Sequence, residues 1–207
     1  MNPSVQRSRG QILRSRGIGV RVGTLIGVAW LAFGVSVMAS AARVPIAIVG
    51  VVIAAVLLQR SRRLIAASRR LPAPNEAQKK ANRSIWIKFW INFVFEIVLL
   101  NIAITLLSAP SQQVYWVPAI SLVVGLHFLP MARFMNVPSY WFCGVVLMLG
   151  AAATAFAIGS RAAAPTLLVA LESLFNAMVL WATAAWGLRS IESADAAHAD
   201  ADAGQTP

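Results

Sequence analysis

Six stretches of this chain are nearly unbroken runs of apolar residues, at 22–41, 44–59, 89–108, 117–132, 140–159 and 165–188, and the charged residues gather between them. A helix rising about 1.5 Å per residue needs about 20 residues to cross a hydrocarbon core of about 30 Å. The pattern therefore predicts an all-α, polytopic membrane protein, a bundle of six transmembrane helices. The second and fourth runs are short. The second is expected to continue as helix past Gln59, with Arg60, Arg62 and Arg63 reaching back to the headgroups, and the fourth to continue past Arg133. The tight connection around Ala41 and Pro45 predicts an antiparallel hairpin of the first two spans.

Between the second and third spans, Leu71-Pro72-Ala73-Pro74 stops one helix, and Asn75 is placed to cap the next with Glu76 in its first turn. The stretch from Ser193 onward is rich in Ala and Asp, lacks apolar periodicity and reads as disordered. The expected organisation is a basic N-terminal tail over 1–21, a transmembrane domain over 22–188 with a basic loop at 60–88, and a C-terminal tail over 189–207.

Charge gives these spans a direction. Sixteen basic residues fall on one side of the bundle and only Arg43 and Arg161 on the other. The sixteen include the loop cluster Arg60, Arg62, Arg63, Arg69, Arg70, Lys79, Lys80 and Arg83, together with five arginines in the N-terminal tail. Lys and Arg concentrate on the cytoplasmic side, so both termini are expected there, as an even number of spans requires. Trp86, Trp90, Trp141 and Trp186 would form the aromatic belt on that side, and Tyr115 and Trp116 the belt on the other. Trp30 and Trp181 fall deeper, at positions suited to packing between helices. The expected partner of the basic loop is the bilayer itself, through anionic lipid headgroups, and no nucleic-acid-binding motif accompanies the charge. A homo-oligomer is compatible with the Gly23/Gly27 GxxxG pattern in the first span, which equally suits close packing within the chain. The alanine-rich middle of the fifth span reads the same way.

Several chemistries are excluded. Cys143 is the single cysteine, so the chain forms no internal disulfide and offers no CxxC or Cys/His metal set. There is no HExxH and no glycine-rich phosphate loop. No cofactor, no catalytic residue and no metal site is expected, and an enzymatic role ranks last.

The informative residues are the polar ones inside the spans: Asn92, Glu96 and Asn101 in the third, His127 in the fourth, Glu172 and Asn176 in the sixth. A carboxylate at the bilayer centre costs a few kcal/mol unless it faces protein, water or a partner. Asn92 and Glu96 are four apart and share a helix face, as do Glu172 and Asn176. From the cytoplasmic ends of their spans, Glu96 lies about 11 Å deep, His127 about 8 Å, Asn176 about 18 Å and Glu172 about 24 Å. The expectation is one polar site where the third, fourth and sixth spans meet, formed by Asn92, Glu96, His127, Glu172 and Asn176. Pro130 lacks an N–H, so the Leu126 carbonyl loses its helical partner beside His127 and adds to that site. Gly125 permits a close helix approach. Asn101 points elsewhere and reads as an interhelical hydrogen bond.

The segment Gly125-Leu126-His127-Phe128-Leu129-Pro130-Met131-Ala132, followed by Pro138, Tyr140 and Gly144, resembles the central signature of a family of small bacterial inner-membrane proteins with no assigned activity. The stretch from Asn176 to Trp181 is similar to that family's last helix. The resemblance covers the second half of the chain and implies a multi-span helical protein of the inner membrane. For function, ionisable groups on three spans point to a transporter-like protein for a small solute or ion. The alternative is a non-catalytic membrane subunit, assembly factor or scaffold.

Overall fold

The computed structural model describes residues 8–38 and 41–203, with side chains described through residue 190. The described chain is helical without strands. Six helices follow one another: α1 (Arg9–Val37), α2 (Arg43–Ser68), α3 (Glu76–Leu106), α4 (Trp116–Met135, entered through a 3₁₀ turn at Gln113–Tyr115), α5 (Ser139–Gly159) and α6 (Pro165–Ala203). Each contains a segment long and apolar enough to cross a membrane, and the chain has the architecture of a multi-pass integral membrane protein.

The helix boundaries follow local chemistry, and two of them move from where the apolar runs alone put them. α1 begins at Arg9 rather than near Val22, because Ser8 and Gln11 form a reciprocal capping box and arginine is itself a good helix former. Thus 9–21, expected as tail, are helix, and Arg7 lies outside the described residues. α6 runs to Ala203 instead of ending near Leu188. Alanine has the highest helix propensity, so a stretch without an apolar face continues the helix that precedes it; positions 204–207 lie outside the described residues. α2 continues past Gln59 to Ser68, and α4 past Arg133 to Met135. Asn75 caps α3 in a second capping box with Gln78, and Glu76 occupies the first turn.

Packing divides the bundle unevenly. α1 packs on α2 and α6, α4 packs on α5, and α5 packs on α6. One core cluster joins Val20 and Leu31 of α1, Ala54 and Leu57 of α2, and Ala177, Trp181, Ala184 and Leu188 of α6. A second joins Cys143, Leu147 and Leu180, and Trp30 packs against both. Polar side chains are buried within this part: Ser61 donates to the Gly17 carbonyl at 2.7 Å, and Trp181 Nε1 donates to the Thr24 carbonyl at 3.2 Å. The outer surface is aliphatic and aromatic, with Val51, Ile91, Leu149 and Phe156 exposed. Small and polar residues inside with apolar residues outside is the distribution that lipid as solvent favours.

α3 stands apart. It packs on α4, forms no comparable interface with another helix among the described residues, and contains no fully buried residue. Trp116 Nε1 donates to the Leu107 carbonyl at 2.8 Å and closes the turn from α3 into α4. Gln11 Nε2 donates to the Gln78 carbonyl at 3.4 Å and Arg16 donates to Ser190 Oγ at 2.9 Å. These contacts gather the start of α1, the start of α3 and the late part of α6 at one end, called the basic end because the described arginines and lysines other than Arg43 and Arg161 fall there.

Candidate functional site

α4 is the helix on which the polar side chains meet. It is fixed to α5 by a backbone-to-backbone crossing at two glycines. A Cβ added to Gly125 would stand 2.8 Å from the Gly144 carbonyl oxygen, and one added to Gly144 would stand 2.6 Å from that of Gly125. α4 stops at Asn136, which takes the left-handed conformation (φ 56°) that asparagine tolerates at a helix end.

On one side of α4, α3 brings Asn92 and Glu96 to His127. Glu96 Oε2 lies 3.3 Å from His127 Nδ1, with both side chains nearly buried. Asn92 Nδ2 lies 3.0 Å from the same Nδ1 and donates to the His127 backbone carbonyl, also at 3.0 Å. The carbonyl used is one residue past that of Leu126, the one left without a helical donor by Pro130. Two partners thus contest one ring nitrogen. An unprotonated Nδ1 accepts from the Asn92 amide; a protonated Nδ1 donates to the Glu96 carboxylate. One nitrogen does not do both, so the proton's position decides which α3 side chain the ring engages.

Glu96 and His127 line a cleft of about 210 Å³. The cleft forms because α3 leans on α4 and leaves a gap to α1. Its walls are mainly apolar and aromatic: Ile18 and Ile26 from α1, Trp86 and Phe93 from α3, Phe128 from α4, Tyr140 from α5. Phe128 and Tyr140 meet edge to face at 5.4 Å, and Phe89 stacks on Phe93 at 6.3 Å. Arg16 lines the cleft toward the basic end, and Glu96 and His127 supply polarity deeper in. Val22, Ile26, Trp86 and Phe93 line the cleft and remain exposed, so it opens along the gap between α1 and α3.

Glu172 and Asn176 do not join this group. α6 carries them to a different face of α4, where Asn176 Nδ2 donates to Ser121 Oγ at 2.6 Å. Ser121 Oγ in turn donates to the Val117 carbonyl at 2.8 Å. Ser121 and His127 are six residues apart, about 9 Å along the helix and about 120° around it. The single site expected between the third, fourth and sixth spans is therefore two sites, because depth and same-face spacing do not fix which side of α4 each neighbour occupies. Glu172 is 3% exposed and Asn176 fully buried, and neither the Glu172 carboxylate oxygens nor Asn176 Oδ1 has a hydrogen-bond partner.

Three smaller expectations also change. Asn101 donates to the Ile97 carbonyl of its own helix at 2.7 Å and is exposed, so it joins no other helix. Gly27 packs directly against the Trp181 indole, whereas a Cβ at Gly23 would meet nothing within 4 Å; the GxxxG contributes one packing position, not two. In the alanine run of α5, Ala151 is buried while Ala152 and Ala153 face outward. The sequence pattern alone does not place Ser121, Tyr140 or Arg16 at a site. Ser121 carried one signal, its small-xxx-small spacing to Gly125. Among the described residues no group of three or more His, Cys, Asp or Glu side chains is arranged to hold a metal ion. No family model, curated protein or solved structure matches the chain.

Proposed function

We propose that the protein is a transporter-like membrane protein that takes a small, largely apolar solute into the cleft between α1 and α3 and engages its polar group at Glu96 and His127. The observation that carries this reading is the carboxylate–imidazole pair set into an otherwise apolar, aromatic-lined cleft. Apolar walls with a few convergent polar groups are the usual composition of small-molecule sites. A volume of about 210 Å³ suits a small solute. The aromatic walls and Glu96 favour a solute carrying a cationic or hydrogen-bond-donating group. The contested Nδ1 links solute to proton: a donor arriving at Glu96 removes the carboxylate from His127 and leaves Nδ1 to Asn92. In this reading the chain sits in a bacterial inner membrane with the basic end in the cytoplasm, where Arg60, Arg62 and Arg63 meet anionic headgroups.

The test is flux into proteoliposomes across a panel of small cations and neutral amphiphiles, with and without a pH gradient. The expected result is uptake of at least one compound that responds to the gradient and is lost in Glu96→Gln. Uptake that is identical in wild type and Glu96→Gln, or absent for every compound, overturns the reading. A second reading, a non-catalytic subunit or scaffold, draws on the outer face of α3, where Trp90, Ile91, Val94 and Phe95 are exposed. It requires a stoichiometric partner in a mild-detergent pulldown.

A further inference from the structure

Glu172 lies in the far half of the bundle, away from the cleft, and shares no residue with the cleft lining. The residue is 3% exposed, and both buried carboxylate oxygens lack a hydrogen-bond donor. One turn along α6, Asn176 is fully buried and its Oδ1 is also without a donor, because its Nδ2 is committed to Ser121. The Ser121 and Thr154 hydroxyls are the neighbouring side-chain polar groups on α4 and α5. Ser121 Oγ donates its hydrogen bond to the Val117 carbonyl, and Ser173 Oγ to the Val169 carbonyl at 2.7 Å. Behind them α1 closes the site, where a Cβ on Gly34 would stand 3.1 Å from the Ser173 Cβ and 3.2 Å from the Ala170 carbonyl oxygen.

The result is an excess of acceptors. An unpaired buried acceptor costs about 1–3 kcal/mol, and an unpaired buried charge more. One proton on Glu172 removes the charge and can be donated to Asn176 Oδ1, which still leaves the other carboxyl oxygen without a donor. A small cation satisfies both carboxylate oxygens and Asn176 Oδ1 together and neutralises the charge. Ser121 and Thr154 add two hydroxyl oxygens. The donor set is all oxygen, with no imidazole or thiolate, and such sets suit hard cations. It carries a single negative charge, so a monovalent ion leaves the site neutral and a divalent ion leaves a net positive charge in low dielectric.

We propose that Glu172, Asn176, Ser121 and Thr154 form a binding site for a monovalent alkali cation between α4, α5 and α6. The site is independent of the cleft reading, and either can fail without the other. It is tested on the purified full-length protein in detergent by thermal unfolding in NaCl, KCl or LiCl, each replaced stepwise by choline chloride at constant ionic strength. The expected result is a saturable rise in Tm with at least one alkali cation and none with choline, absent in Glu172→Gln. Ser121→Ala, which removes one oxygen and keeps the carboxylate, is expected to weaken the apparent cation affinity about five- to tenfold while the rise still saturates. Equal Tm in all four salts means that the carboxyl holds only a proton and overturns the proposal. So does an alkali-specific rise of unchanged midpoint in Ser121→Ala, a result readable even if Glu172→Gln does not fold.

Discussion

Two polar pairs with the same spacing meet the same helix and end in opposite environments. Asn92 and Glu96 reach α4 from a helix that has no other substantial neighbour, find His127, and border a cleft open between α1 and α3. Glu172 and Asn176 reach α4 from the most enclosed helix of the bundle, find Ser121, and are sealed with acceptors to spare. The difference lies in the neighbours and not in the pairs. An Asn and a Glu four apart place two polar groups on a helix face; how many other helices cover that face decides whether they become an accessible group or a closed one.

The comparison breaks most completely if α4 is moved. Gly125→Leu forces a side chain into the Gly144 backbone, which cannot turn aside as a flexible side chain does. The expected destabilisation is about 3 kcal/mol or more, with both pairs lost together, measured by thermal unfolding followed by size-exclusion chromatography. A Gly125→Leu protein with wild-type Tm would show that the crossing is not tight. A contrast in accessibility comes next. In a Cys143→Ser background, Glu96→Cys is expected to react with a small water-soluble thiol reagent at least about tenfold faster than Glu172→Cys; equal rates would remove the distinction between open and sealed. The smallest effect concerns the amides. Asn176→Ala leaves a cavity at a fully buried position and is expected to cost about 1–2 kcal/mol. Asn92→Ala, at a partly exposed position, is expected to cost about 0.6 kcal/mol. The reverse order, in denaturant titrations of the two variants, would mean that α3 contributes more to stability than its packing indicates.

Much of the fold was legible because membrane spans are read from runs of residues rather than from contacts. The six apolar stretches, the helix continuing through Arg60–Arg63 and the cap at Asn75 are all local features. The ends of α1 and α6 are not marked by apolarity, since Ser8 with Gln11 and the alanines after Ser193 extend helices without it. For the site, depth was legible and azimuth was not. Glu96 and His127 are at similar depth and do meet; Glu172 does not join them, because counting residues gives height along a helix but not which neighbours surround it. Ser121 drew no notice because a neutral hydroxyl in a span usually bonds its own helix, and this one does so while also receiving Asn176.

The packing of α6 on α1 and α2 has a consequence for how the chain is made. Val20, Leu31, Ala54 and Leu57 share one core cluster with Ala177, Trp181, Ala184 and Leu188, which are more than a hundred residues later in the chain. At a synthesis rate of about 5–20 residues per second, that separation is on the order of ten seconds. For that interval the α1–α2 hairpin lacks the α6 side chains that pack on it, the Trp181 indole against Gly27 among them. The most extensive helix–helix interface joins α1 to α6, so the bundle closes only once α6 has been made.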